Sequence, residues 1–230
     1  MQSKAGKIAS ILTKAILDHR LHPGDTLGER ELSETFGVSR IVVKQALIEL
    51  VESGLVNIQR NRGAFISKPS LQEALEIYDA LTMLEQSVAE MLAERVNSTV
   101  LGELKLQTQK QRRAAEAGND DLATKLGKDF HTLLVRLSRN KVLEEIHTQL
   151  LRRAALLSNL FNRSFDACTF AKDHERIIEL IEDGDAVEVK RLIQNHNLMI
   201  ARSHDMESES VDRINMQDAL QPYLTETKVK

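Results

Sequence analysis

A short basic segment carries the side chains best suited to contact a polyanion. Arg40 and Lys44 lie four residues apart in the run Ser39-Arg40-Ile41-Val42-Val43-Lys44-Gln45, so on a helix they share one face. Both donate hydrogen bonds to phosphates and base edges, and Gln45 can pair with the edge of adenine. Four residues would flank this run: Arg30, Arg60, Arg62 and Gly63. The pattern indicates a local DNA-binding surface formed by these residues, which we call the basic edge.

The first 69 residues supply a scaffold for these side chains. Apolar residues recur three and four apart from Ile8 to Ile16, which predicts an amphipathic helix. A capping box at Thr26-Leu27-Gly28-Glu29 predicts a second helix, and Ser39 is the predicted N-cap of a third. Two β-rich runs, 55–59 and 63–66, flank Arg60-Asn61-Arg62 as a hairpin. Three helices followed by a hairpin form a winged helix-turn-helix.

Three histidines have positions that suggest a metal site. His174 and His196 are each 11 residues from Asp185, which lies at the turn between two predicted helices. In an antiparallel pair they lie at the same height, and His131 on a third helix completes a cluster suited to zinc or another divalent transition metal. Spacing alone leaves the alternative open that these are ordinary surface or core histidines.

The chain from residue 70 to about 206 has a helical pattern almost throughout. Ser70 and Glu73 form a capping box after Pro69, which marks a domain boundary. Polar breaks separate six predicted helices: 71–96, 99–117, 120–139, 141–163, 167–183 and 186–205. Short joints favour antiparallel neighbours, hence an all-α antiparallel helical bundle. We expect a mainly α chain with domains at 1–69 and 70–206 and a polar, flexible tail at 207–230.

Composition and charge exclude several classes of protein. The 31 Lys and Arg against 34 Asp and Glu give a net charge of -3, which excludes a protein that coats nucleic acid with a uniformly basic surface. Residues 1–69 alone carry a net charge of +3. The single Cys168 excludes an intramolecular disulfide and a cysteine-rich zinc site. No uncharged apolar run approaches the roughly 20 residues that span a bilayer. A reducing, cytoplasmic location is expected.

The first domain resembles the N-terminal domain of GntR-family bacterial transcription regulators. The resemblance rests on five motifs: Pro23-Gly24-Asp25-Thr26-Leu27, Glu29-Arg30-Glu31-Leu32, Phe36-Gly37-Val38-Ser39-Arg40, Gly54-Leu55-Val56 and Arg62-Gly63. It implies that four residues occupy DNA-contacting positions: Arg30, Arg40, Lys44 and Gly63. The family usually has arginine where Lys44 stands. Because lysine cannot form the two-donor fork to guanine, an altered base preference is expected there.

The second domain is similar to the FCD effector domain of the FadR-like branch of that family. The shared motifs are Phe130-His131, Asn140, Asp173-His174 and Gly184-Asp185 followed by His196. The resemblance implies a metal site of one aspartate and three histidines, with His131, His174 and His196 on the histidine positions. Gly127 stands at the aspartate position. Without that carboxylate, weaker metal binding is expected, with water or an effector carboxylate in its place.

A small metabolite, an acid or another polar compound, is the expected ligand of this domain. Many relatives hold a carboxylate effector through an arginine at the position of Thr82, just before Leu84-Glu85. Thr82 and Gly127 are therefore candidate effector-site positions. Arg152 and Arg153, with Arg163, are candidate replacements for that arginine, although an exposed arginine is commonly just solvated.

The sequence thus predicts a ligand-responsive transcription regulator, a repressor released by its ligand, and not an enzyme. One winged helix buries too little surface for specificity, so the expected partners are a palindromic double-stranded operator, a second copy of the chain and the metabolite. Two alternatives remain. One is a metal-dependent hydrolase using the three histidines, for which the His-Glu-x-x-His motif is missing. The other is a ligand-free architectural DNA-binding protein.

Overall fold

Helices make up most of the chain, as predicted. The computed structural model describes residues 3–160, 167–202 and 215–224. Within these ranges the helices are α1 Lys4–Leu17, α2 Glu29–Phe36, α3 Arg40–Glu52, α4 Leu71–Glu94, α5 Ser98–Glu116, α6 Asp120–Leu137, α7 Lys141–Leu160, α8 Ala167–Glu182, α9 Ala186–Arg202 and α10 Met216–Leu224, and the strands are β1 Thr26–Leu27, β2 Val56–Gln59 and β3 Gly63–Ile66. The predicted winged helix-turn-helix followed by an all-α domain is confirmed.

The chain divides into two compact units. Among the described residues, the first unit contains residues 3–74, 152–160 and 215–224, and the second contains 75–151 and 167–202. The first unit therefore takes in more than the predicted first domain, because the end of α7 and all of α10 belong to it.

The three strands form the wing of the first unit. Their order is β1-β3-β2, all antiparallel, with Gln59 opposite Gly63 at the hairpin end. Asn61 (φ 64°) and Gly63 (φ 92°) adopt the left-handed conformations that this tight turn requires. Thr26 is paired in the sheet, so the predicted capping box at Thr26 is wrong, and α2 begins only at Glu29 after the N-cap Gly28.

Helix α3 buries one face and exposes the other. Its buried side chains are Val43, Ala46, Leu47 and Leu50, which pack in the core of the first unit. Ser39 is the N-cap, as predicted, but its side chain makes no capping hydrogen bond. Gly37 (φ 62°) ends α2 in the left-handed conformation, and this allows the sharp turn into α3. The first half of α3 is thereby held with its polar face outward.

Helix α10 lies in the segment that the sequence predicted to be a flexible polar tail, and that prediction is wrong for residues 216–224. Four of its side chains are buried in the core of the first unit: Met216, Ala219, Leu220 and Tyr223. The Tyr223 hydroxyl donates to Asp18 Oδ2 (2.7 Å), and Arg20 donates to the backbone carbonyls of Asp218 and Ala219. These contacts attach α10 to the residues that directly follow α1.

The second unit is a bundle in which α5 packs on α6 and α8, and α8 packs on α9. Its apolar core includes Phe130, Leu134, Ile177 and Ile193. The predicted cap at Asp185 is confirmed, since Asp185 Oδ1 accepts from the backbone N–H of Glu188. No helix among the described residues is both long and apolar enough to cross a bilayer.

If α10 is part of the folded first unit, shortening a buried side chain on it must destabilise the protein. We expect Leu220→Ala, at a fully buried position, to cost about 2–5 kcal/mol of unfolding free energy. Gln221→Ala, at the exposed neighbouring position, is the control and should change stability little. The measurement is urea unfolding of the full-length protein followed by circular dichroism. Equal midpoints for the two variants would contradict the docking of α10.

Candidate functional site

The basic edge predicted from the sequence is exposed on the first unit. Ser39, Arg40, Lys44, Gln45, Arg60, Arg62 and Gly63 are all exposed, on the start of α3 and the tip of the wing. Among the described residues, Arg40, Lys44, Arg60 and Arg62 form no ion pair with a carboxylate, whereas Arg112, Arg136, Arg176 and Arg191 on the second unit's surface do. Their charge is therefore available to an external anion.

Two arginines of the edge have intramolecular contacts. The Arg62 guanidinium lies over the Phe65 ring at 5.4 Å from its centroid, a cation–π contact that holds the side chain at the wing tip. Arg30 pairs with Glu34 across one helical turn (2.9 Å), and this hydrogen bond raises the pKa of Arg30. Because that pair is fully exposed, it contributes little to stability and can be exchanged for an external partner.

The structure brings the three predicted histidines together in the second unit. The Nε2 atoms of His131, His174 and His196 form a nearly equilateral triangle with sides of 3.2, 3.3 and 3.3 Å. All three residues are buried. His174 and His196 come from α8 and α9, as their equal distance from Asp185 predicted, and His131 comes from α6.

The other ring nitrogen of each histidine is held by an oxygen. His131 Nδ1 donates to Glu85 Oε2 (3.0 Å), His174 Nδ1 donates to Gln111 Oε1 (2.7 Å), and His196 Nδ1 donates to Asp173 Oδ2 (3.0 Å). A neutral imidazole has one N–H, so each Nε2 carries a lone pair. Three lone pairs therefore point at one another, an arrangement that a cation between them would stabilise.

Glu85 organises a second layer around this cluster. Besides His131, its carboxylate accepts from His147 Nε2 (2.8 Å) and Asn197 Nδ2 (2.9 Å). Burial raises the pKa of Glu85, but His131 and His147 outweigh burial and hold the pKa well below its ordinary value. The carboxylate is thus ionised and acts only as an acceptor, which fixes the His131 tautomer.

Burial favours the neutral form of two of the three histidines, His174 and His196, because it lowers the pKa of each. It lowers the pKa of His174 well below its ordinary value, and His196 and His131 lower it further. It lowers the pKa of His196 as well, against the opposing hydrogen bond from Asp173. Phe130 stacks on the His174 ring (centroids 4.0 Å apart, planes at 15°), which adds to its desolvation. Neutral imidazole is the form that ligates metals.

The spacing of the triangle matches a tetrahedral metal. Nitrogens bound about 2.0–2.1 Å from one tetrahedral zinc lie roughly 3.3–3.4 Å apart. The observed separations of 3.2–3.3 Å agree with this value. The donor set of three imidazoles, each with its Nδ1–H engaged, also suits zinc or another borderline transition metal. These residues fit the metal that the sequence predicted.

The space beside Gly127, next to the histidine cluster, is filled by another side chain. A Cβ atom at this position would lie 2.9 Å from Gln111 Nε2 and 3.6 Å from His174 Cε1. The Gln111 carboxamide, which is buried, occupies the space into which a side chain at residue 127 would extend. Because the same carboxamide holds His174, Gly127 and Gln111 form one structural unit.

The remaining predicted effector residues have other neighbours. The Thr82 hydroxyl donates to the Tyr78 carbonyl one turn earlier (2.7 Å). Arg153 pairs with Glu73 (2.5 Å) and lies against Gly54, where a Cβ would meet its Cδ at 3.0 Å, all within the first unit. Arg152 is half-buried in the same unit. Arg163 lies outside the described residues.

Sequence reasoning missed the residues that position the histidines: Glu85, Gln111, His147, Asp173 and Asn197. A signal existed for two of them. Glu85 lies in the apolar stripe of α4 between Leu81 and Val88, and Gln111 lies among the buried positions of α5. A charged or amide side chain at a core position needs buried partners, so it indicates a polar network.

Comparison with solved structures supports the fold. A Rhodococcus sp. RHA1 protein described as a transcriptional regulator GntR superposes with a TM-score of 0.74 over 87% of this chain and 97% of that chain, at 20% identity. E. coli McbR/YncC gives a TM-score of 0.70 over 88% of this chain and 98% of that chain, at 19% identity.

Comparison of sequences identifies the family. The HTH-type transcriptional repressor RspR of Escherichia coli (strain K12) is 29% identical over 203 residues, 86% of this chain and 87% of RspR. The Uxu operon regulator of Haemophilus influenzae is 26% identical over 208 residues, 83% of this chain and 77% of that protein. The family description "Bacterial regulatory proteins, gntR family" matches residues 4–66, and "FCD domain" matches residues 76–198. The chain therefore belongs to the GntR family of DNA-binding transcription regulators, which are not enzymes, and it carries an FCD domain.

Proposed function

We propose that this regulator is a metabolite-responsive repressor that binds a two-fold operator as a homodimer. The observation that carries the proposal is that the chain has both a cationic edge on the first unit, where Arg40, Lys44, Arg60 and Arg62 form no ion pair among the described residues, and a buried three-histidine cluster in the second unit. The first supplies contacts to DNA, and the second supplies a site for a ligand. The repressor role follows the name of RspR.

In this proposal, the start of α3 enters the major groove and the wing tip contacts the backbone. Arg40, Lys44 and Gln45 face bases and phosphates from α3, with Ser39 at its N-terminus. Arg62, fixed over Phe65, and Arg60 contact phosphates beside Gly63, whose missing side chain lets the backbone approach closely. Arg30 exchanges its exposed partner Glu34 for a phosphate.

Two copies are needed for useful specificity. A single winged helix buries about 600–1,000 Å² on DNA, whereas two half-sites double the contact and multiply the discrimination. The two-fold axis of a homodimer matches an inverted repeat in the duplex. We therefore infer an operator in the bacterial cytoplasm that binds one dimer.

The DNA-binding role is tested by replacing Arg40. We expect Arg40→Ala to weaken binding to a selected operator about 10- to 100-fold, since it removes a charged donor to a base edge. Arg176→Ala, which removes the same charge from the surface of the second unit, should have little effect. Fluorescence anisotropy with labelled duplex at fixed salt measures both, and saturation should require two chains per duplex. An equal loss in both variants would refute the assignment of the edge.

The histidine cluster is proposed to hold a divalent transition metal. His131, His174 and His196 would be its protein ligands through Nε2, with Glu85, Gln111 and Asp173 fixing the ring orientations. A bound divalent cation supplies positive charge that attracts an anionic ligand. The carboxylates of Glu85 and Asp173 offset part of this positive charge. Some charge compensation therefore remains, although Gly127 stands where the family has an aspartate.

The Gly127 and Gln111 pair predicts non-additive effects on metal binding. Gln111→Ala should weaken zinc affinity about 10- to 100-fold, because it removes the acceptor that orients His174. Gly127→Asp alone should also weaken it, since the new side chain displaces Gln111. In the double variant the aspartate has room to reach the metal, so we expect zinc affinity above that of either single variant.

Zinc affinity is measured by competition with a chromophoric chelator. Gln109→Ala, at an exposed position of the same helix, is the control for Gln111→Ala. Additive losses in the double variant would contradict the coupling of residues 111 and 127.

A small acid is the proposed effector, and useful control needs about 1–3 kcal/mol of coupling between its site and the operator site. We expect a compound from a panel of small carboxylic acids to raise the melting temperature of the zinc-loaded protein, because a ligand at 100 times its Kd stabilises the folded state by about 2.7 kcal/mol. The same compound should lower operator affinity. A panel without any shift would favour the ligand-free architectural role instead.

A further inference from the structure

An apolar side chain stands at the centre of the face with which α3 would read DNA. Ile41, in the first turn of α3, is 71% exposed. Arg40, which precedes it, and Lys44 and Gln45, one helical turn further on, are polar and exposed, whereas Val42, which follows it, packs against the core. Ile41 is not a member of the first unit's core as far as its described residues show, so core packing does not explain an isoleucine here.

Helical geometry places Ile41 opposite the core. At about 100° per residue, the four buried positions of α3, residues 43, 46, 47 and 50, centre on one side of the helix. Ile41 lies about 170–190° from that centre. Arg40 and Lys44 lie to one side of it, and Gln45 lies to the other. A duplex that receives this face of α3 in its major groove therefore meets Ile41 first.

The chemistry of the major groove offers one apolar feature to such a side chain. Base edges there present hydrogen-bond donors and acceptors, and thymine alone adds a C5 methyl group. Isoleucine has no side-chain donor or acceptor, so it cannot read any of the polar features. Gln45, one turn further along, suits the adenine edge that pairs with a thymine.

We propose that Ile41 reads the C5 methyl of a thymine in each half-site of the operator. The inference rests on the proposed DNA-reading role of α3. It makes Ile41 a specificity-determining residue, whereas the charged residues beside it supply most of the affinity. The preferred operator should then contain a thymine at the base pair under the first turn of α3.

The helix offers its own control for the trivial explanation that exposed apolar residues are common on protein surfaces. Ile48 is 44% exposed on the same face, two turns further from the N-terminus. Bases are contacted chiefly from the N-terminal part of such a helix, so Ile48 should not reach them. Ile41→Ser and Ile48→Ser make the same chemical change on one face of α3, at two different distances from its N-terminus.

Deoxyuridine tests the contact at the level of one methyl group. After selection of an operator from random duplexes, each thymine of the half-site is replaced in turn by deoxyuridine, which lacks only the C5 methyl. With the full-length protein, one position should lower affinity about fourfold, the factor that corresponds to about 0.8 kcal/mol for one buried carbon group. Replacement in both half-sites should lower it about fifteenfold.

The variants then assign that loss to a residue. Ile41→Ser should bind the thymine and deoxyuridine operators equally well, whereas Ile48→Ser should keep the fourfold difference. The proposal is overturned if no deoxyuridine substitution changes affinity in the unaltered protein, or if Ile41→Ser keeps the full difference. A protein that selects no sequence over random duplex would instead refute the proposed function, so the two failures are distinguishable.

Discussion

Three lone pairs that converge within 3.3 Å are the constraint on which the second unit depends. Nitrogen lone pairs do not pack against one another in a dry core without a partner, so the cluster accounts for the polar groups buried around it. Glu85, Gln111 and Asp173 come from α4, α5 and α8, and each fixes one ring. The bundle thus places a polar network where an ordinary helical core would hold leucine.

In the first unit the proposed functional side chains must be exposed to solvent instead of buried. Helix α3 achieves this by burying Val43, Ala46, Leu47 and Leu50, which fixes the direction of the side chains on the other face. The wing is held to the same core by the pairing of β1 and β2 with β3. Helix α10 adds Leu220 and Tyr223 to that core, which also contains the buried side chains of α1.

Much of this was predictable because it follows local rules. Asn61 and Gly63 predicted the turn of the wing, and the equal spacing of His174 and His196 about Asp185 predicted that the two side chains lie close together. Helix α10 was missed because Pro222 and the polar composition outweighed a short apolar period and the Asn215 cap. The contact between Gly127 and the Gln111 side chain could not be predicted from the sequence, since no spacing rule specifies how side chains of two different helices pack.

The proposed metal site requires the three buried imidazoles to hold one divalent cation per chain. Elemental mass spectrometry of zinc-reconstituted, gel-filtered full-length protein counts the bound zinc, with His174→Ala and a control variant in the first unit, His22→Ala, treated alike. We expect about one zinc per chain in the unaltered protein and in His22→Ala, and almost none in His174→Ala. Substoichiometric zinc in the unaltered protein, or equal zinc in both variants, would contradict it.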